Sequence, residues 1–133
     1  MDKDKFTYNV TVRYFDLDTN NHVNNSVFFT YMEEARTKLM LKEFLEFFEN
    51  GIGFVVTEAK CKYKKPIRIQ DSVSIRVSVE NIKGISFDMK YFFTDLSGKQ
   101  YAEGSTRLAC IDKNTQKLIR LPQEMISSLQ LLE

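Results

Sequence analysis

Two prolines and five glycines in 133 residues are too few for a collagen-like or low-complexity chain. With 43% apolar and 13% aromatic residues there is enough surface to bury against the entropy of ordering, so disorder is excluded as well. The two cysteines, Cys61 and Cys110, lie far apart without CxxC spacing, and the chain has one histidine. Neither a disulfide framework nor a zinc site is therefore expected, and both thiols read as reduced, small hydrophobes packed in the interior. Charge of one sign is also lacking: 19 basic residues face 18 acidic ones. That balance gives no global pull toward nucleic acid or a membrane surface. No run approaches the apolar length of a bilayer span, and the opening MDKDKFTYNV has no basic region followed by an apolar one. The expectation is one cytoplasmic globular domain spanning residues 1–133, small enough to gain from sharing surface with a second copy.

What is present alternates in two periods. Phe6, Tyr8, Val10, Val12 and Tyr14 recur at every second position, as in a half-buried strand. Residues 26–48 then carry Phe28, Tyr31, Met32, Ala35 and Leu39 at three-to-four spacing, with Glu33, Glu34, Arg36 and Lys38 off that stripe. This predicts one long helix, broken near Lys42 and ended by Gly51 and Gly53, with extra apolar residues that suit covering on more than one side. Four strands follow at residues 54–63, 72–80, 85–93 and 101–112, with turn chemistry at 81–84 and 95–98. In the first, Val55, Thr57, Ala59, Cys61 and Tyr63 are assigned to one face, and Pro66 marks a strand end or edge. In the last, the small residues Ala102, Gly104 and Thr106 would let a helix approach closely. A short helix from Pro122, placed at its first position, closes the chain. The order predicts an α+β domain: a curved antiparallel sheet of about five strands around one long helix.

The densest polar segment is Asp16-Leu17-Asp18-Thr19-Asn20-Asn21-His22-Val23-Asn24-Asn25-Ser26, between the first strand and the helix. Read as structure, these residues are turn formers and caps, because their side chains replace missing backbone partners. Read as chemistry, a carboxylate opposite a helix N-terminus defines a pocket with unpaired N–H donors and the positive end of the dipole. Such a pocket suits acyl transfer, where a carbonyl oxygen gains negative charge.

Tyr14, Asp16-Leu17-Asp18, His22-Val23-Asn24-Asn25 and Glu33-Glu34-Ala35-Arg36 together resemble the signature of single-domain hotdog thioesterases of the 4-hydroxybenzoyl-CoA thioesterase and acyl-CoA hydrolase type. Gly51 to Val56, the step Tyr63-Lys64-Lys65-Pro66 and Gln70-Asp71 extend the resemblance over nearly the whole chain. Asp18, Asn20, His22, Asn24 and Asn25 are also similar to the motif of plant-type acyl-carrier-protein thioesterases, although those enzymes usually contain two such units.

The resemblance implies hydrolysis of an acyl-coenzyme A with no metal and no cofactor beyond the coenzyme A of the substrate, in a homodimer or homotetramer with sheets joined edge to edge and sites at the interface. Hydrolysis of acyl-carrier-protein thioesters, or acyl-thioester binding without catalysis, are the alternatives. Asp18 is the expected nucleophile or general base, and Asp16 a structural partner of the loop. His22 would orient water, bind the thioester oxygen or hold the loop, and Asn20 would position Asp18 or the water. The Asn25 N–H would polarise the carbonyl, with Asn24 as a cap. Glu58 reads as an auxiliary acid or base reaching across the interface, or as a solvated strand residue. Lys62, Lys64 and Lys65, with Lys60 and Arg68, read as contacts to coenzyme A phosphates, or as lysines that protect an edge strand from aggregation. Phe28, Phe29, Tyr31 and Met32 would serve an acyl tunnel or the core equally well.

Overall fold

In the computed structural model, which describes residues 6–133, the chain runs β1 (Thr7–Val10), a 3₁₀ turn (Tyr14–Asp16), α1 (Val27–Leu39), α2 (Leu41–Glu49), β2 (Ile52–Tyr63), β3 (Val73–Lys83), β4 (Ser86–Thr94), β5 (Gln100–Asp112) and α3 (Gln123–Gln130). The five strands form one antiparallel sheet in the order β1-β3-β4-β5-β2. The α+β hotdog arrangement expected from the sequence is what forms, with α1 packed on the inner face of the sheet. None of the described helices is long and apolar enough to cross a membrane.

The inner face is built by alternation. β3 turns in Val73, Ile75, Val77 and Val79, and β4 turns in Phe87, Met89, Tyr91 and Phe93, all buried. Against them α1 lays Phe28, Tyr31, Met32 and Ala35, none more than 2% exposed. The expected close approach at β5 is real: a Cβ built on Gly104 would meet the Cε and Sδ of Met32, so a larger residue here would push the end of that buried side chain aside. Cys110 is buried and Cys61 half-buried, and both are free thiols.

Several expectations needed correction. The first strand ends at Val10, and the next residues form a 3₁₀ turn because the Asp16 carboxylate accepts the Arg13 N–H at 3.0 Å. Tyr14 and Phe15 are therefore turned outward, 78% and 95% exposed, and Tyr14 does not share the buried face. The long helix breaks at Met40 (φ −122°, ψ 23°), two residues earlier than expected. Arg36, assigned to the solvent side, is buried at 9% exposure. Gly51 ends α2 in the left-handed region (φ 87°), whereas Gly53 already lies in β2.

In β2 a bulge between Val56 and Glu58 shifts the alternation, so Phe54 and Val56 pair opposite the inward Cys110 and Leu108. Val55 consequently sits on the opposite face from Ala59, Cys61 and Tyr63, which a strict period of two could not show. Pro66 does follow an edge: β2 pairs with β5 on one side and with nothing described on the other. In β4, Ile85 precedes the strand and is exposed, and Phe93 takes its place on the inner face. Pro122 is the N-cap of α3 and not its first helical residue, with extended backbone (φ −60°, ψ 145°).

The contact between Gly104 and Met32 gives a direct test. Gly104→Val should lower the unfolding free energy by about 1–3 kcal/mol through overpacking. The double variant Gly104→Val/Met32→Ala should cost less than the sum of the two single changes, because the valine fills the space the methionine leaves. Urea unfolding of the four proteins measures both quantities.

Candidate active site

The loop between the 3₁₀ turn and α1 is a small closed structure. Leu17 and Val23 form an antiparallel bridge, the Asp18 N–H donates to the His22 carbonyl at 2.7 Å, and the Asn24 N–H donates to the Asp16 carbonyl at 2.8 Å. Asn21 makes the turn in left-handed backbone (φ 60°), which asparagine tolerates better than most residues. The Val23 N–H donates to the Ile67 carbonyl at 2.8 Å, tying the loop to the segment after β2.

The two aspartates have different surroundings. Asp16 is buried, accepting from the Tyr31 hydroxyl at 2.6 Å as well as from the Arg13 N–H, so it has the structural role expected for it. Burial first, and Asp16 second, hold the Tyr31 phenol well above the usual tyrosine range. Asp18 is half-buried, and its Oδ1 accepts the N–H groups of Asn20 at 2.8 Å and His22 at 3.3 Å. Its Oδ2 has no hydrogen-bond donor among the described residues. One oxygen of Asp18 is thus fixed by backbone and the other is open.

Asp18, His22 and Asn25 line one recess of about 240 Å³ with Val23, Phe28, Lys64 and Lys65. Tyr63 and Pro66 complete its wall. Asn25 lies just before α1, whose first residue is Val27. Its N–H meets no acceptor among the described residues, while the Asn24 side chain takes the next one, accepting the Ser26 N–H at 3.0 Å. The Asn24 side chain thus closes the turn before α1, whose N-cap is Ser26, and Asn25, its N–H unpaired among the described residues, lines a space shared with the Asp18 carboxylate. The His22 ring makes no hydrogen bond to a described residue.

Other expected residues sit elsewhere. Asn20 holds the Asp18 carboxylate through its main chain, and its side chain does not line the recess. Glu58 lies on the outer face of β2, paired at 2.9 Å with Arg107, which also binds Asp88 at 2.8 Å. That cluster lines a separate cleft, so Glu58 is not brought to the recess of its own chain. Lys62 pairs in register with Glu103 and also lies outside the recess, unlike Lys64 and Lys65. Arg107 lowers the Asp88 carboxyl below its ordinary range, as expected for a charge-assisted pair. Among the described residues no three His, Cys, Asp or Glu side chains converge as metal ligands do.

Sequence reasoning missed the role of Tyr63. Its hydroxyl donates to the Asn25 carbonyl at 2.8 Å, and its ring meets Phe28 edge-on at 4.9 Å. The Asn25 peptide is held from β2, 38 positions along the chain. The only signal was Tyr63 standing at the head of the step Tyr63-Lys64-Lys65-Pro66.

A model of the thioesterase-like superfamily matches residues 12–129, which includes this loop, the strands β2 to β5 and α3 up to Leu129. The chain belongs to the thioesterase-like superfamily. Over 124 residues it is 28% identical to the long-chain acyl-CoA thioesterase FadM of Escherichia coli (strain K12), covering 91% of this chain and 94% of that one. It is also 27% identical over 131 residues to a 1,4-dihydroxy-2-naphthoyl-CoA hydrolase of Nostoc punctiforme, covering 94% and 86%. The solved DHNA-CoA thioesterase of Staphylococcus aureus superposes with a TM-score of 0.84 at 27% identity, covering 95% of this chain and 91% of the other. Relatives named for a long-chain acyl group and for a dihydroxynaphthoyl group are thus about equally similar to this chain.

The Tyr31–Asp16 hydrogen bond is testable in stability and in pH. Tyr31→Phe should cost about 2 kcal/mol, the range for a buried hydrogen bond to a charged group. Because folding raises the phenol pKa, the advantage of the wild type is complete below the unfolded value of about 10 and should shrink as pH rises beyond it. Chemical unfolding at pH 7 and pH 11 should show the margin narrowing.

Proposed function

We propose that the protein hydrolyses the thioester of an acyl-coenzyme A in the recess lined by Asp18, His22 and Asn25. The observation that carries this reading is one carboxylate oxygen left open beside an unpartnered N–H at the start of α1. The carbonyl oxygen of the substrate would accept from the Asn25 N–H, where the helix dipole and the peptide donor stabilise the charge that develops. Lys64 and Lys65, at the mouth, suit the phosphates of the carrier.

Asp18 can carry the reaction in two ways. As general base, Oδ2 takes a proton from water as the water oxygen bonds to the carbonyl carbon; the tetrahedral intermediate then collapses, the C–S bond breaks, and the proton goes to the departing thiolate. As nucleophile, Oδ2 bonds to the carbonyl carbon, the thiolate leaves, and water hydrolyses the resulting anhydride. Both routes end in a free acid and a thiol. Single-turnover hydrolysis in oxygen-18 water separates them, since only the second can place label in the Asp18 carboxylate. His22 is available to position the water because its ring is not engaged elsewhere in the described structure.

We further infer that β2 joins the β2 of a second copy. Twelve residues of edge strand with open N–H and C=O groups are a pairing template, and β2 is largely exposed on both faces. Antiparallel pairing about the middle of β2 would place the Tyr63 end of one strand beside the Ile52 end of the other. The recess would then lie at the subunit boundary, with Glu58 near the twofold axis.

Asp18→Asn should lower kcat for thiol release by about 10²-fold or more while leaving the fold intact. A dye-coupled thiol assay over short, medium, long and aromatic acyl-coenzyme A substrates measures this, and undiminished turnover would remove Asp18 from the mechanism. Ala59→Pro, which removes a ladder donor from β2, should shift the protein toward monomer in analytical ultracentrifugation.

A further inference from the structure

The Asn25 N–H is the donor on which the proposed hydrolysis turns, and its direction is set by the peptide planes on either side of residue 25. A trans peptide is planar, so this N–H points opposite to the Asn24 carbonyl, which accepts the Val27 N–H at 2.9 Å. In the next plane the Ser26 N–H donates to Asn24 Oδ1 at 3.0 Å, and the Asn25 carbonyl accepts from the Tyr63 hydroxyl at 2.8 Å. The bonds to Val27 and Ser26 lie within the turn 24–27 and move with it. On the entry side Val23 and Asn24 are tied to Ile67 and Asp16 through their N–H groups. The Tyr63 bond ties the exit side to the sheet, and the donor sits between the two anchors.

Tyr63 is itself firmly held. It is the last residue of β2 and pairs in register with Ala102 of β5, and the N–H groups of Lys64 and Lys65 both donate to the Tyr101 carbonyl, at 2.9 and 3.0 Å. Its ring stands edge-on to Phe28 at 4.9 Å, and Phe28 in turn packs on Phe93 of β4 at 5.4 Å. Phe28 and Phe93 are both buried, so backbone and ring together leave the hydroxyl few directions. Burial first, and the neighbouring Cys61 second, hold the phenol above the usual tyrosine range, and it stays a donor at neutral pH. A tyrosine carries one O–H, and with that hydrogen on the Asn25 carbonyl there is none to give to a substrate, although the residue lines the recess.

We propose that Tyr63 is a positioning residue for thioester hydrolysis: through the Asn25 carbonyl its hydroxyl aims the Asn25 N–H at the place where the carbonyl oxygen of the substrate gains negative charge. This role rests on the hydrolytic reading of the recess and adds to it a residue that acts without touching the reacting atoms. A donor stabilises developing charge only where its direction is fixed beforehand, and a displacement of about 1 Å can cost about 10²-fold in rate. Binding of the neutral thioester depends on that direction far less, because its carbonyl is a weaker acceptor than the oxyanion.

Tyr63→Phe keeps the ring on Phe28 and removes the hydroxyl. In the full-length protein, with acetyl-, dodecanoyl- and benzoyl-coenzyme A, it should lower kcat and kcat/KM together by about tenfold or more and leave KM within about twofold, the pattern of an interaction made in the transition state. A loss of folded protein would imitate a lower kcat, so a second measurement reads the carbonyl directly. Asp18→Asn should hold the thioester without hydrolysing it, and the infrared stretch of its carbon-13 carbonyl should fall below the free value on binding. Adding Tyr63→Phe should move that band back toward the free value, which instability does not do. Loss of turnover in Asp18→Asn with full turnover in Tyr63→Phe would overturn the Tyr63 role and leave the recess as the site. An unmoved band in the double variant would overturn it as well. Turnover retained by Asp18→Asn, or no turnover of any of the three thioesters by the wild type, would overturn the reading of the recess and the role of Tyr63 with it.

Discussion

The site depends on one buried hydrogen bond, from the Tyr31 hydroxyl to the Asp16 carboxylate at 2.6 Å. Tyr31 belongs to the α1 face that is clamped against the sheet, so its position is set by core packing. Asp16 belongs to the loop and also holds the Arg13 backbone. Through this contact the order of the core is passed to the loop, which the Val23 N–H on the Ile67 carbonyl and the Tyr63 hydroxyl on the Asn25 carbonyl hold from the other side. The desolvated phenol and carboxylate leave little freedom, because breaking the pair would strand a buried charge. Asp18, two residues further on, inherits a fixed place beside the start of α1 without being buried itself.

This division between the two aspartates is the main physical point about the site. Asp16 meets its hydrogen-bonding needs inside the protein, through Tyr31 and Arg13. Asp18 meets half of its needs through the N–H groups of Asn20 and His22 and keeps one oxygen for something else. The helix start shows a similar split, since the Asn24 side chain accepts the Ser26 N–H while the Asn25 N–H meets no described acceptor. Tyr63 then steadies the Asn25 peptide from the opposite side by binding its carbonyl. The recess is thus assembled from three separate parts of the chain: the first loop, the tip of α1 and the end of β2.

The remaining open features all lie along β2 and α2. The free edge of β2 is long and accessible, and the groove beside its first half has a mainly apolar wall. A protein with no further contacts there would carry an aggregation-prone edge. The proposed pairing with a second copy would cover that edge.

The sequence by itself determined the sheet, the α1 stripe and the identity of the polar loop, because each is written in local spacing: alternate residues in β3 and β4, three-to-four spacing in Phe28, Tyr31, Met32 and Ala35, and a density of Asp and Asn that few other structures need. It also marked Gly104 as a contact point, since only small residues interrupt an otherwise bulky strand. What only the tertiary structure decided were features that depend on partners distant in the chain. The bulge in β2 exists because of its pairing with β5, so alternation could not place Val55 and Glu58. Arg36 is buried because its guanidinium reaches inward to the Tyr91 hydroxyl on β4, although its helical position alone pointed outward. Tyr63 reaches Asn25 only once the edge strand lies beside the helix tip. Local spacing fixes which face a residue takes on its own element, and packing between elements decides what that face meets.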